Sequence, residues 1–238
     1  MAVETDEEMP LSAHVEELVK RALVVAAVAG LGMVAVFLVS ERAVLHLWYR
    51  FLDVEPHVYK PFGKILTQLK FSALAGLALA IPVLVYETFA FMKPGLYEHE
   101  QRYFLAVVPV SVLLVSIGLA FSYLLALPVI FDYFLYYSED VAQAGLGLSE
   151  TFDVIVLFAL SMGIVFQIPL LMFLAVKMNV ASREWFQQKR TLVWGGIITV
   201  AALISGSLDP TGFAGFVVAA TMIVLFELTM ALFRFTER

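Results

Sequence analysis

The feature that most limits what this chain can fold into is a succession of long, almost charge-free apolar stretches. They lie near 22–39, 65–91, 104–127, 150–176, 191–204 and 213–232. A helix that crosses a bilayer needs about 20 largely apolar residues, because lipid offers no partner to an unpaired backbone group. The stretches therefore predict an all-α, polytopic membrane protein in which residues 1–238 form a single six-span domain. Composition excludes the soluble alternative: 61% of residues are hydrophobic and only 15% charged, against about a quarter charged in an ordinary soluble domain. With no cysteine, a disulfide framework, an iron–sulfur centre and a thiol nucleophile are all excluded. The net charge of −6 is the wrong sign for a nucleic-acid binder.

Orientation follows from the positive charges, which favour the cytoplasmic side. Lys20, Arg21, Lys93, Arg102, Lys177, Arg183, Lys189, Arg190, Arg234 and Arg238 share one side. The other side carries only Arg42, Arg50, Lys60 and Lys64, all in the first loop. Both termini are thus expected in the cytoplasm, with the protein in the cell membrane. The first stretch is too long for a signal-peptide core and lacks a cleavage site. Residues 1–10 read as a disordered acidic tail and 11–23 as an amphipathic helix leading into the first span. The fifth stretch is short and is followed at once by SGSLDPTG, so the last two spans are expected to form a thin hairpin. Pro82, Pro109 and Pro169 fall within spans and Pro128 is expected to end the third. Several proline-bent helices suggest a curved, cup-like wall.

Polar groups inside such spans are the first candidates for function. Gln167 lies deep in the fourth, and Asp153 falls on the same stripe near the outer end. Gln167 fits either a hydrogen bond within the fold or a contact with a partner's transmembrane helix. Glu227, two turns before Arg234, fits a structural ion pair or a snorkelled carboxylate, and Glu87 faces the headgroup zone at the inner end of the second span. Lys70, just inside that span's outer end, can snorkel outward. At the start of the chain, LSAHVEELVKRAL places Ser12 at a cap and Glu17 one turn before Arg21, a spacing that pairs them on one helix face. The loop KPGLYEHEQR gathers Glu98, His99 and Glu100 beside a Pro94-Gly95 turn.

IPVLVYETFAFMKPGLYEHEQR, at 81–102, resembles the signature of the TatC family, multispanning receptors of the twin-arginine protein translocase. HVEELVKR, MGIVFQIP, SGSLDP and LFELTMALFR are similar to shorter motifs of that family, in the same order. The resemblance covers nearly the whole chain and implies a non-enzymatic receptor and scaffold. It would bind twin-arginine signal peptides of folded precursors at the cytoplasmic face, recruit TatA-type (and TatB-type) single-span partners, and self-associate in the bilayer. Export in the family draws on the proton-motive force, and no cofactor or metal is implied.

Carried over by position, the resemblance implies that Glu17 and Glu100 read the two arginines, with Phe91, Tyr97 and Arg21 in the same signal-peptide-binding set. A guanidinium is a planar fork matched by the two oxygens of a carboxylate, which a lysine cannot imitate. Gln167 would be the partner-helix contact, with Asp209, Glu87 and Glu227 as further polar sites. The chain departs from the family at Val19 and Gln101, where basic residues are usual, and at Gln167, where the family carries Glu. The pattern suits a divergent prokaryotic, even archaeal, member. The alternative is a secondary transporter for a small solute, which should instead show broken helices with paired polar groups at mid-membrane.

Overall fold

A computed structural model of the chain describes residues 11–92, 104–139, 147–178, 180–206 and 211–236. These residues fold almost entirely into helices: α1 (Leu11–Phe37), α2 (Ser40–Phe51), α3 (Gly63–Met92), α4 (Phe104–Phe121), α5 (Leu127–Glu139), α6 (Leu148–Val165), α7 (Ile168–Lys177), α8 (Arg183–Gln188), α9 (Arg190–Ser205) and α10 (Phe213–Thr236). Among the described residues there is no strand, only one isolated bridge between His57 and Gly147. Among the described residues, five segments are long and apolar enough to cross a membrane: Ser12–Phe37, Gly63–Phe91, Val107–Tyr136, Leu148–Lys177 and Phe213–Arg234. The lead-in helix and the first apolar stretch form one continuous α1. The fifth stretch forms α9, whose 16 residues give about 24 Å, short of a hydrocarbon core of about 30 Å.

None of the described side chains of α1 is buried; Leu31 and Val34 face outward, as lipid permits. What holds α1 is close backbone approach to α3. A Cβ built on Gly76 would collide with the Ala29 carbonyl oxygen and the Met33 amide, and one on Gly32 would sit 3.2 Å from the Gly76 Cα. Lipid supplies little hydrophobic drive between helices, so small residues that let backbones touch carry such interfaces. Gly118 of α4 plays the same part against the Met162 carbonyl of α6.

Proline has two different effects. Pro169 cannot donate to the preceding turn and crowds its carbonyl. The fourth apolar segment accordingly breaks at Phe166–Gln167, where Gln167 N–H donates to Ile164 O at 2.9 Å, before α7 resumes. Pro128 does not end the third helix, contrary to expectation: α5 continues to Glu139. The residues before it, Ser122–Ala126, widen into a π-helical turn in which Leu127 N–H reaches back five residues to Ser122 O. That turn takes up the proline within the helix instead of terminating it.

The core is largely apolar. Trp48 of α2 is wholly buried beside Ile130, Phe152, Phe158 and Val218, and its indole N–H donates to Val54 O at 2.5 Å. Lys64 pairs with Glu41 at 2.7 Å, tying α2 to the start of α3. The Lys64 ammonium holds the Glu41 carboxyl below the usual carboxylate range. A bond from Leu148 N–H to His57 O, 2.9 Å long, seats the start of α6 on the segment after α2.

Candidate functional site

Helical register brings three charged side chains together. Gly32 and Gly76 mark where α1 and α3 touch. Arg21 lies 11 residues before Gly32, and Glu87 lies 11 residues after Gly76. Eleven residues are close to three turns, so both return to the contact face and meet across the antiparallel pair. Arg21 Nη1 donates to Glu87 Oε2 at 2.8 Å, while Nε and Nη2 both donate to Glu17 Oε1, at 3.0 and 2.6 Å. The Glu17–Arg21 pair expected from spacing therefore has a second carboxylate on it. One turn beyond Glu87, the half-buried Phe91 meets the His14 ring edge-on, with centroids 6.2 Å apart.

The cluster holds two carboxylates and one guanidinium, so it carries a net negative charge. Its side chains are 29% (Glu17), 25% (Arg21) and 15% (Glu87) exposed, enough for a ligand to reach them while solvent is thinned around them. Each carboxylate spends a single oxygen on Arg21. Among the described residues, Glu17 Oε2 and Glu87 Oε1 accept no hydrogen bond. A carboxylate fixed by one arginine with an oxygen to spare can accept a second cation in a set direction. On the other face of α1, Glu16 and Lys20 form a solvent-exposed pair of little energetic weight. Tyr97, Glu100 and Asp209 lie outside the described residues, although the segment carrying the first two begins at the end of α3, next to Phe91.

The other polar residues that the sequence singles out inside the spans are paired within the chain. Gln167 is buried at the α6–α7 break; its Oε1 accepts from Ser111 Oγ at 2.7 Å and its Nε2 donates to Ser111 O at 3.3 Å. Both ends of the amide thus answer α4. Glu227 pairs with Arg190 at 2.8 Å and accepts from Trp194 Nε1 at 3.2 Å, so its ion pair is with α9 rather than with Arg234 along its own helix. Lys70 meets both oxygens of Asp153 at 2.9 Å. Sequence reasoning singled out Gln167, Glu227, Lys70 and Asp153 one by one but could not match partners up to 83 positions apart. Among the described residues no cluster has the makings of a metal site.

Comparison with known proteins shows the family of the chain. Residues 13–220 match the family described as "Sec-independent protein translocase protein (TatC)". The chain is 41% identical to the Haloferax volcanii "Sec-independent protein translocase protein TatCo" over 99% of its own length, and spans 59% of that relative. It is 36% identical to the Methanocella arvoryzae TatC over 97% of its length and 95% of that protein. In fold it is similar to the structure titled "Crystal Structure of Twin Arginine Translocase Receptor- TatC in DDM", with a TM-score of 0.81, 24% identity, and coverage of 92% of this chain and 98% of that one. The chain belongs to the TatC family, multi-pass membrane components of a protein translocase and not enzymes.

Proposed function

We propose that the Glu17–Arg21–Glu87 cluster, with Phe91 and with Glu100 from the following loop, is the docking site for the paired arginines of a twin-arginine signal peptide. The carrying observation is the pair of partly exposed carboxylates held on Arg21, each with an unused oxygen. An incoming guanidinium would take those oxygens with charge-assisted hydrogen bonds of roughly 1.5–3 kcal/mol each. Phe91 and His14 give the peptide an apolar and aromatic flank. Glu87, counted among the further polar sites on sequence grounds, joins the recognition set. In this account α9 is the fifth span, crossing a thinned bilayer beside α10, and both termini are cytoplasmic. The chain then works as receptor and scaffold for TatA-type single-span partners in export driven by the proton-motive force, Gln167 being the candidate contact for such a helix. A small-solute transporter is disfavoured, because the spare carboxylate acceptors gather at one end of α1 and α3.

Photo-crosslinking from positions 17, 91 and 100 to a twin-arginine precursor tests the assignment. Crosslinks from all three, lost when the precursor carries two lysines, are expected. Crosslinks that survive the lysine substitution would place arginine recognition elsewhere.

A further inference from the structure

Away from the Arg21 cluster, toward the end of the membrane domain that carries α2, lies a concave feature. A cavity of about 330 Å³ lies between α3, the α4–α5 boundary and α6, with α2 contributing Ala43 and Leu47. Its walls are apolar: Phe71, Ala75, Leu127, Ile155 and Ala159 among them. Leu79 also lines it and is exposed on the outer surface, so the cavity reaches the lipid-facing side. A dry apolar cavity of about 150 Å³ already holds a benzene ring; this one has room for a stretch of alkyl chain. Water is a poor occupant, since an ordered water wants two or more polar partners and the lining offers little beyond Ser122 and Tyr123.

Three polar features gather where Ser122 and Tyr123 meet the wall. Ser122 is wholly buried, and its hydroxyl has no hydrogen-bond partner among the described residues. It opens the π-helical turn, a local distortion that often marks a functional position. Next to it, Tyr123 has its hydroxyl 3.4 Å from His46 Nε2, and the Arg50 guanidinium lies 5.5 Å from its ring centroid. Arg50 is exposed and has no carboxylate partner among the described residues. The features thus run from apolar wall, to orphan hydroxyl, to tyrosine and histidine, to an unneutralised arginine on an amphipathic surface helix. That order matches a phospholipid read from acyl chain, through glycerol-linkage oxygen, to phosphate.

We propose that this cavity is a binding site for one anionic membrane phospholipid. Its acyl chain fills the space between α3 and α6, Ser122 donates to a glycerol-linkage oxygen, and Arg50 with His46 takes the headgroup phosphate. Bound there, the lipid wedges α2 against the α4–α5 boundary at the end of the molecule remote from Glu17 and Glu87. The site does not depend on the signal-peptide assignment.

The test uses the full chain in vesicles of neutral phosphatidylcholine. A trace of either phosphatidylglycerol or phosphatidylcholine carrying a photoreactive acyl chain is added, and labelled peptides are mapped after illumination. Label should concentrate on 71–79 and 155–160 over the lipid-facing Leu31 and Leu203. The phosphatidylglycerol probe should exceed the phosphatidylcholine probe severalfold: both carry the phosphate, but the choline cation neutralises the phosphatidylcholine headgroup and is repelled by Arg50. Arg50→Gln should abolish that preference and keep residual labelling. Ala159→Leu and Ala75→Leu, which fill the cavity from opposite walls, should each reduce labelling by both probes; if both lose their thermal transition, Arg50→Gln decides. Label spread evenly over exposed lipid-facing positions, or a preference unchanged in Arg50→Gln, overturns the proposal. So does displacement of the label by a twin-arginine signal peptide, which would make the cavity a peptide site.

Discussion

Arg21 is where the account is most exposed at the scale of single residues. It satisfies two carboxylates at once, and Glu87 is only 15% exposed. Arg21→Gln leaves two like charges facing each other in a partly desolvated setting. The expected cost is about 1–3 kcal/mol, below the 3–5 kcal/mol of a fully buried pair because all three groups keep some solvent. Glu87→Gln should cost less, since Arg21 retains Glu17 and the amide can still accept a hydrogen bond. Thermal unfolding of the purified variants checks that order; equal losses would mean the cluster does not act as a shared pair. Gln167→Leu strips Ser111 of its partner on α6–α7. Intramembrane hydrogen bonds average about 0.6 kcal/mol and reach about 1.7, so a modest fall in stability is expected. If recovery of a TatA-type partner is unchanged while stability drops, Gln167 belongs to the fold; a lowered recovery at unchanged stability assigns it to the partner.

Between α1 and α3 the same cluster depends on register. Gly76→Val drives a side chain into the backbone at Ala29 and Met33, which must push the helices apart and pull Arg21 from Glu87. Gly195→Ala meets nothing within 4 Å and, as a helix-interior glycine, should be neutral or slightly stabilising. Melting temperatures compare the two: Gly76→Val should fall well below the parent and Gly195→Ala should not. Had Gly76→Val no effect, the close approach would not be what holds α1. The sequence made the long apolar helices legible through their runs, and the Glu17–Arg21 pair through its four-residue spacing, but not α2, whose mixed SERAVLHLWYRF reads only as part of the first loop. It did not make Glu87 legible as their partner, because that depends on where two helices cross, and the crossing is written only in two small residues 44 positions apart. Pro128 misled for a similar reason. The rule that proline ends a helix holds for an unbroken α ladder, and here a π turn starting at Ser122 takes up the proline. Glu227 is legible as an ion-pair former but not as the partner of Arg190, since an antiparallel neighbour competes with Arg234 on equal terms of reach.

Across the whole molecule, topology decides whether any of this chemistry faces the right compartment. The bond from Leu148 to His57 puts the segment after α2 and the start of α6 at one end, while Glu17 and Glu87 lie where α1 begins and α3 finishes. With the positive charges setting orientation, single cysteines at 12 and 98 in this cysteine-free chain should label from the cytoplasm and one at 58 from outside. The reverse pattern would turn the recognition cluster away from newly made precursors. The most direct test of the central claim is the affinity of a twin-arginine signal peptide, and of its two-lysine counterpart, for the parent protein and for Glu17→Gln, Glu87→Gln and Glu100→Gln. The parent should favour the arginine peptide by roughly tenfold or more, as the loss of a charge-assisted hydrogen bond implies, and each variant should bind it more weakly and discriminate less. Variants that keep the parent's full preference for arginine would contradict the assignment of these carboxylates as its readers.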